Sequence, residues 1–246
     1  MRRLFLVSFL LCYVTAVYSH TTMNRGMVAI HQGDGVVSIS WRLFKSDSND
    51  VSFDLYRSSA NGKPVKLNQK PLCSSTYYTD NNVDTSVDQN YILFARSKAD
   101  QEGTQIASYL LTPQLASVPY LSIPLKPLPF DTAHVFQPND ASVGDLDGDG
   151  ELEIVIKRMG AFYACSQKGV SPHSMVLEAY KLNGTRLWQI DLGVNIRQGA
   201  QYFQFLVYDF DGDGCAEVAI KSSEGTRFGD GKLIGDTDGD GITDYV

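Results

Sequence analysis

The sequence is poor in several features that would classify it quickly. Four cysteines in 246 residues are too few for a disulfide-dense scaffold. His20, His31, His134 and His173 show no zinc-ligand spacing. There is no basic run, and 28 acidic against 21 basic residues give a formal net charge of -7, which argues against nucleic acid as a partner. No serine nucleophile elbow, phosphate loop or dinucleotide fingerprint occurs. One apolar run stands out, Leu4 to Tyr18, and it falls short of the about 20 residues that cross a membrane. What remains is a globular composition, 43% hydrophobic and 20% charged, sufficient for one or two domains.

The apolar run follows Met1-Arg2-Arg3 and ends at Val17-Tyr18-Ser19, the pattern of a secretory signal over residues 1–19. The expected localisation is secreted, with no membrane contact after cleavage. Cleavage after Ser19 removes Arg2 and Arg3, leaving 19 basic and 28 acidic residues and a charge of -9. It also removes Cys12, so Cys73, Cys165 and Cys215 cannot all pair within one chain. At the other end, Asp244-Tyr245-Val246 stops where a strand should begin, and the chain is expected to be the N-terminal portion of a longer protein.

From Met27 to Thr112 short apolar alternations are separated by polar turns, with no helical period. Val36 to Trp41 and Val51 to Tyr56 alternate with period two, and Asn90 to Arg96 and Ala107 to Leu111 are further strands. Gly33-Asp34-Gly35 and Asn61-Gly62 mark turns. Residues 24–118 are therefore expected to form a small β-sandwich resembling a fibronectin type III domain. Pro113, Pro119, Pro124, Pro127 and Pro129 then fix backbone torsions and remove amide donors, giving an extended connector, taken as residues 119–138.

An internal repeat follows. Val143 to Lys157, containing Asp145-Leu-Asp147-Gly-Asp149-Gly and Glu153, aligns with Val207 to Lys221, containing Asp209-Phe-Asp211-Gly-Asp213-Gly and Glu217. A shorter copy carries Asp236, Asp238, Asp240 and Asp244. Between the first two, Asn183-Gly184 separates two alternating runs, the strongest short-range hairpin signal. Asn183-Gly184-Thr185 is also a glycosylation sequon.

Carboxylates at loop positions one, three, five and nine, with glycine at six for the sharp turn, present hard oxygens to one point, and calcium takes six to eight of them. Without a cation those carboxylates would repel one another. An EF-hand is excluded, because position twelve is Ile156 or Ile220 and the residues beyond are β-branched. Calcium is thus expected at two sites, Asp145, Asp147, Asp149 and Glu153, then Asp209, Asp211, Asp213 and Glu217. A third is expected at Asp236, Asp238, Asp240 and Asp244. The three loops hold twelve carboxylates, so the mature remainder has 16 acidic and 19 basic residues. The acidity belongs to metal loops and leaves an acidic polymer possible as substrate. Lys157 and Lys221 recur at equivalent positions, which favours a structural role beside the loops, whereas Arg158 and Arg197 can meet a uronate or solvent.

Asn139-Asp140-Ala141-Ser142-Val143 leading into the first loop, Ala179 to Gly193, Asn195-Ile196-Arg197, and Gln204 to Gly214 resemble rhamnogalacturonan lyases of polysaccharide lyase family 11. Gly225-Thr226 and Ile234-Gly235-Asp236 continue the likeness, as do Arg25 to Ala29 and Ser40 to Leu43 near the start. The resemblance implies an all-β protein: a fibronectin III-like sandwich, then the first blades of a calcium-binding β-propeller at residues 139–246. With a repeat of 64 residues, fewer than two blades fit and the propeller does not close. The implied activity is β-elimination in rhamnogalacturonan I, an acidic plant cell-wall polysaccharide, with Asn139 matching an asparagine that contacts substrate. Two departures mark a divergent member: Met159 stands where the family usually has a substrate-site aspartate, and Gln201 where histidine is frequent. The rival expectations are a non-catalytic calcium propeller that binds glycan or protein, and a calcium-stiffened spacer.

Overall fold

The computed structural model describes residues 23–60, 62–128, 130–131, 136–160, 174–199 and 202–243. The expected signal segment, Cys12, Cys165, His20, His134, His173, Asn61, Pro129, Gln201 and Asp244 lie outside the described residues. The chain is all-β, with thirteen strands and one helical turn among the described residues.

Seven strands form the amino-terminal unit: β1 Val28–Gly33, β2 Val36–Ser40, β3 Ser52–Ser59, β4 Val65–Lys66, β5 Tyr77–Asp80, β6 Gln89–Arg96 and β7 Thr104–Leu111. They make two antiparallel sheets, ordered β1-β2-β5 and β4-β3-β6-β7. Period-two alternation explains the packing: Val37, Ile39 and Trp41 are buried beside exposed or half-buried serines. They meet Phe53, Leu55, Tyr91 and Leu93 of the facing sheet in one core. The β1–β2 hairpin closes through Asp34 and Gly35, both at positive φ, as a two-residue primed turn requires. Three strands, β1, β4 and β5, lie outside the runs singled out by alternation.

The proline-rich stretch does not begin as extended chain. Pro113 opens the helical turn α1, Pro113–Ala116, with the Thr112 hydroxyl accepting from the Leu115 N–H at 3.3 Å. Proline at the first helical position loses no hydrogen bond, so here it starts a helix where an extended segment was expected.

A four-stranded antiparallel sheet, ordered β11-β10-β9-β8, follows and begins inside the expected connector, at Gln137. Its strands are β8 Gln137–Gly144, β9 Glu153–Met159, β10 Val176–Tyr180 and β11 Arg186–Asp191. The turn at Asn183-Gly184 joins β10 to β11, with Asn183 exposed. Every residue of β10 is buried because both faces of the sheet are covered. Leu177 and Ala179 face the main core with Val155, Met159, Ile196 and Phe203. On the other face the connector lies down: Leu128 and Phe136 cluster with Val176, and the Lys126 N–H donates to the Tyr180 hydroxyl at 2.9 Å.

A second hairpin, β12 Phe205–Tyr208 and β13 Glu217–Ile220, packs Val207, Val218 and Ile220 against the same core. Its close seat depends on Gly144. A Cβ there would stand 2.6 Å from Val207 Cγ1 and 2.7 Å from Ala216 Cβ. Gly144→Ala should therefore destabilise the fold by about 1–3 kcal/mol, read as a lower urea midpoint at unchanged slope.

Candidate functional site

The three acidic loops fold by one local rule. In each, the first aspartate accepts backbone N–H bonds from the glycines at positions four and six. Asp145 takes Gly148 and Gly150, both at 2.8 Å. Asp209 takes Gly212 at 2.7 Å and Gly214 at 3.0 Å. Asp236 takes Gly239 at 2.6 Å and Gly241 at 2.7 Å. All six glycines have positive φ, a region costly to residues with a Cβ. The aspartate at position five turns outward and accepts from the N–H at position seven, at 2.8 Å for Asp149, Asp213 and Asp240 alike.

The position-nine carboxylate closes the loop by accepting from the N–H at position two. Glu153 takes Leu146 at 2.8 Å and Glu217 takes Phe210 at 2.9 Å. Carboxylate oxygens of positions one, three and nine thereby converge: Asp145, Asp147 and Glu153 in the first loop, and Asp209, Asp211 and Glu217 in the second. In each cluster they lie within 4.8 Å of one another, a span that one divalent cation can bridge. Asp149, Asp213 and Asp240 are not drawn into these clusters.

Burial pushes the Glu153 carboxyl above its usual range, the Leu146 N–H opposes that, and the charges of Asp147 and Asp149 push it further up. Lys181 relieves part of the repulsion, with its Nζ 2.6 Å from Asp147 and 2.7 Å from Asp149. Its hydrogen bond, first among the causes, holds the Asp149 carboxyl low. The cation beside the first loop is thus Lys181, whereas Lys157 was expected there. Lys157 is fully buried elsewhere, reaching Asp140 at 2.5 Å and the Phe203 carbonyl at 3.0 Å. Lys221 is exposed.

Glu224, which the sequence reading missed, joins the third loop in a cluster with Asp236 and Asp238. It takes the role of a position-nine residue, since the Thr237 N–H at position two donates to Glu224 Oε1 and the Thr237 hydroxyl does so at 2.5 Å. Asn195 fixes it from below, donating to the Glu224 carbonyl at 3.0 Å. The available signal was a loop with no glutamate at position nine, but its partner lies twelve residues before the loop begins and is found only by folding.

The substrate candidate Asn139 is exposed on edge strand β8, where the register with β9 shifts between Pro138 and Ala141. Such bulges re-aim side chains. Met159 is 6% exposed and belongs to the core, which explains how an apolar residue is accommodated there. Arg158 is committed to Glu178 at 3.1 Å and to the Lys126 carbonyl at 2.7 Å. Cys73 and Cys215 are free thiols.

Comparison with known proteins covers both parts of the chain. Residues 120–245 match the family described as "Rhamnogalacturonan lyase family 11, C-terminal domain", and residues 19–109 match "Rhamnogalacturonan I lyases beta-sheet domain". The chain is 39% identical over 224 residues to rhamnogalacturonan endolyase YesW of Bacillus subtilis, covering 89% of this chain and 34% of that protein. Rhamnogalacturonan exolyase YesX of the same organism is 37% identical over 218 residues, again covering 89% and 34%. The solved structure of a Bacillus licheniformis rhamnogalacturonan lyase superposes with a TM-score of 0.70 at 43% identity, covering 89% of this chain and 36% of that one. The chain spans about a third of the length of the curated relatives it matches.

Proposed function

Since the chain belongs to rhamnogalacturonan lyase family 11, we propose that it serves the eliminative cleavage of rhamnogalacturonan I as a secreted, calcium-dependent protein. The amino-terminal sandwich is then the fibronectin III-like unit, and residues 139–246 are the opening blades of a β-propeller. The observation that carries the reading is the loop set: three copies of one hydrogen-bonding rule, each gathering three carboxylates, inside a chain that matches the family along both parts.

Calcium fits these loops. Carboxylate oxygens within 4.8 Å of one another suit an ion held at about 2.3–2.6 Å from each, and backbone carbonyls and water complete such a shell. Asp145, Asp147 and Glu153, then Asp209, Asp211 and Glu217, then Asp236 and Asp238 with Glu224 would hold it. When bound, calcium supplies the positive charge that these acidic loops lack and stiffens the turns between strands.

In the elimination itself a base takes the C5 proton of a galacturonate residue, negative charge grows on the adjoining carboxylate, and the C4–O bond breaks to leave a C4–C5 double bond. Asn139, carried outward on the β8 bulge, is the residue proposed to hold the sugar. A second reading is a non-catalytic calcium propeller that binds the same glycan, favoured by Met159 lying in the core where the family resemblance implies an aspartate. Incubation with rhamnogalacturonan I separates them. Ultraviolet absorbance from a new unsaturated uronate is expected of the lyase, and saturable binding without that chromophore would leave the second reading standing.

A further inference from the structure

Three cations lie at or beside the end of β9, which pairs with the strand that carries Asn139, and two of them have carboxylate partners. Lys157 is held by Asp140 and the Phe203 carbonyl. Arg158 is held by Glu178 and the Lys126 carbonyl. Arg197 differs. Its Nη2 is buried with no hydrogen-bond partner, although the side chain as a whole is only partly buried. Its guanidinium carbon lies 4.6 Å from the centroid of the Tyr202 ring, and Tyr202 is 41% exposed. A guanidinium with a shielded unpaired donor and no counter-ion is unusual, because its desolvation is uncompensated.

The backbone around the pair is built for a close approach. Gly199 has a φ of +150°, and a Cβ there would stand 2.8 Å from Tyr202 Cδ2, so glycine lets the ring lie down over the turn. The Tyr202 N–H donates to the Gly199 carbonyl at 3.4 Å. Gln198, fully buried, accepts the Gly160 N–H at 3.0 Å and ties the turn to the end of β9. Phe203, next to Tyr202, receives Lys157, which in turn holds Asp140 beside Asn139. Arg197 and Asn139 are thus anchored to the same strand end through Gly160 and Lys157.

We propose that Arg197, backed by Tyr202, is a carboxylate-binding point for a uronate residue of the glycan that Asn139 contacts. This rests on the reading of the chain as a binder of acidic pectin. The planar fork of arginine matches a carboxylate with two parallel donors, which a lysine cannot reproduce. The tyrosine ring holds the guanidinium, and its exposed part offers apolar surface to the sugar.

The test is calorimetric binding of a rhamnogalacturonan I oligosaccharide and of the same oligosaccharide with its carboxyl groups reduced to alcohols, to the whole chain and to Arg197→Met. The wild type should bind the acidic form about tenfold or more tightly than the reduced form. In Arg197→Met that preference should vanish while the reduced form binds as before. Arg197→Lys, which keeps the charge and most of the packing, guards against misfolding and should lose part of the preference. A wild type without preference, or variants that keep it, would overturn the assignment and leave the glycan reading intact. Failure of the wild type to bind either sugar would sink both.

Discussion

Excess chelator should lower the unfolding temperature of the region from β8 onward by on the order of 10 °C or more, and leave the amino-terminal sandwich unfolding where it did. The asymmetry is the informative part. Among the described residues, every cluster of convergent carboxylates lies in the acidic loops or at Glu224, and none lies in β1 to β7. A ligand bound only by the folded state stabilises it by about 2.7 kcal/mol at a hundred times its dissociation constant, and two such sites double that. Removing it leaves Glu153, 1% exposed, beside Asp145 and Asp147, with Lys181 as a partial replacement in the first loop. The second and third clusters are more open and should lose their order first. Calorimetry with and without chelator, alongside elemental analysis, makes the measurement. One unshifted curve in a metal-free protein would refute the calcium assignment.

Much of the architecture was legible because it is written locally. Alternation marked β2, β3, β6 and β7, since each has one face on a core and one toward water. The Asn183-Gly184 turn announced the β10–β11 hairpin, and the loop repeats announced themselves. The rest depended on partners remote in sequence. Tyr77-Tyr78-Thr79-Asp80 has no apolar alternation of its own and becomes β5 only by pairing with β2. Glu224 reaches the third loop only once Asn195 and Thr226 have fixed its turn against the end of β11. Glu178 reads as the solvent side of a half-exposed strand, yet it is fully buried, because the proline-rich connector returns across that face.

That burial sets up the second large effect. Glu178→Ala should destabilise the chain by about 3–5 kcal/mol, the usual consequence of removing one member of a buried ionic group. Glu178 accepts from Arg158 at 3.1 Å through one oxygen and from Arg186 at 2.8 Å through the other. The Arg158 side chain is 9% exposed, so without the carboxylate its charge stays desolvated with only the Lys126 carbonyl and no counter-ion. Arg186 is less confined and retains Gln189 at 2.8 Å, so the penalty falls chiefly on Arg158. It follows that Glu178→Ala combined with Arg158→Met should recover a large part of the loss, whereas a combination with Arg186→Met should recover little. Urea midpoints of the three variants decide it. Equal losses in the two double variants would mean that both arginines share the buried charge, and a loss below about 1 kcal/mol in the single variant would mean that water reaches Arg158 beneath the connector.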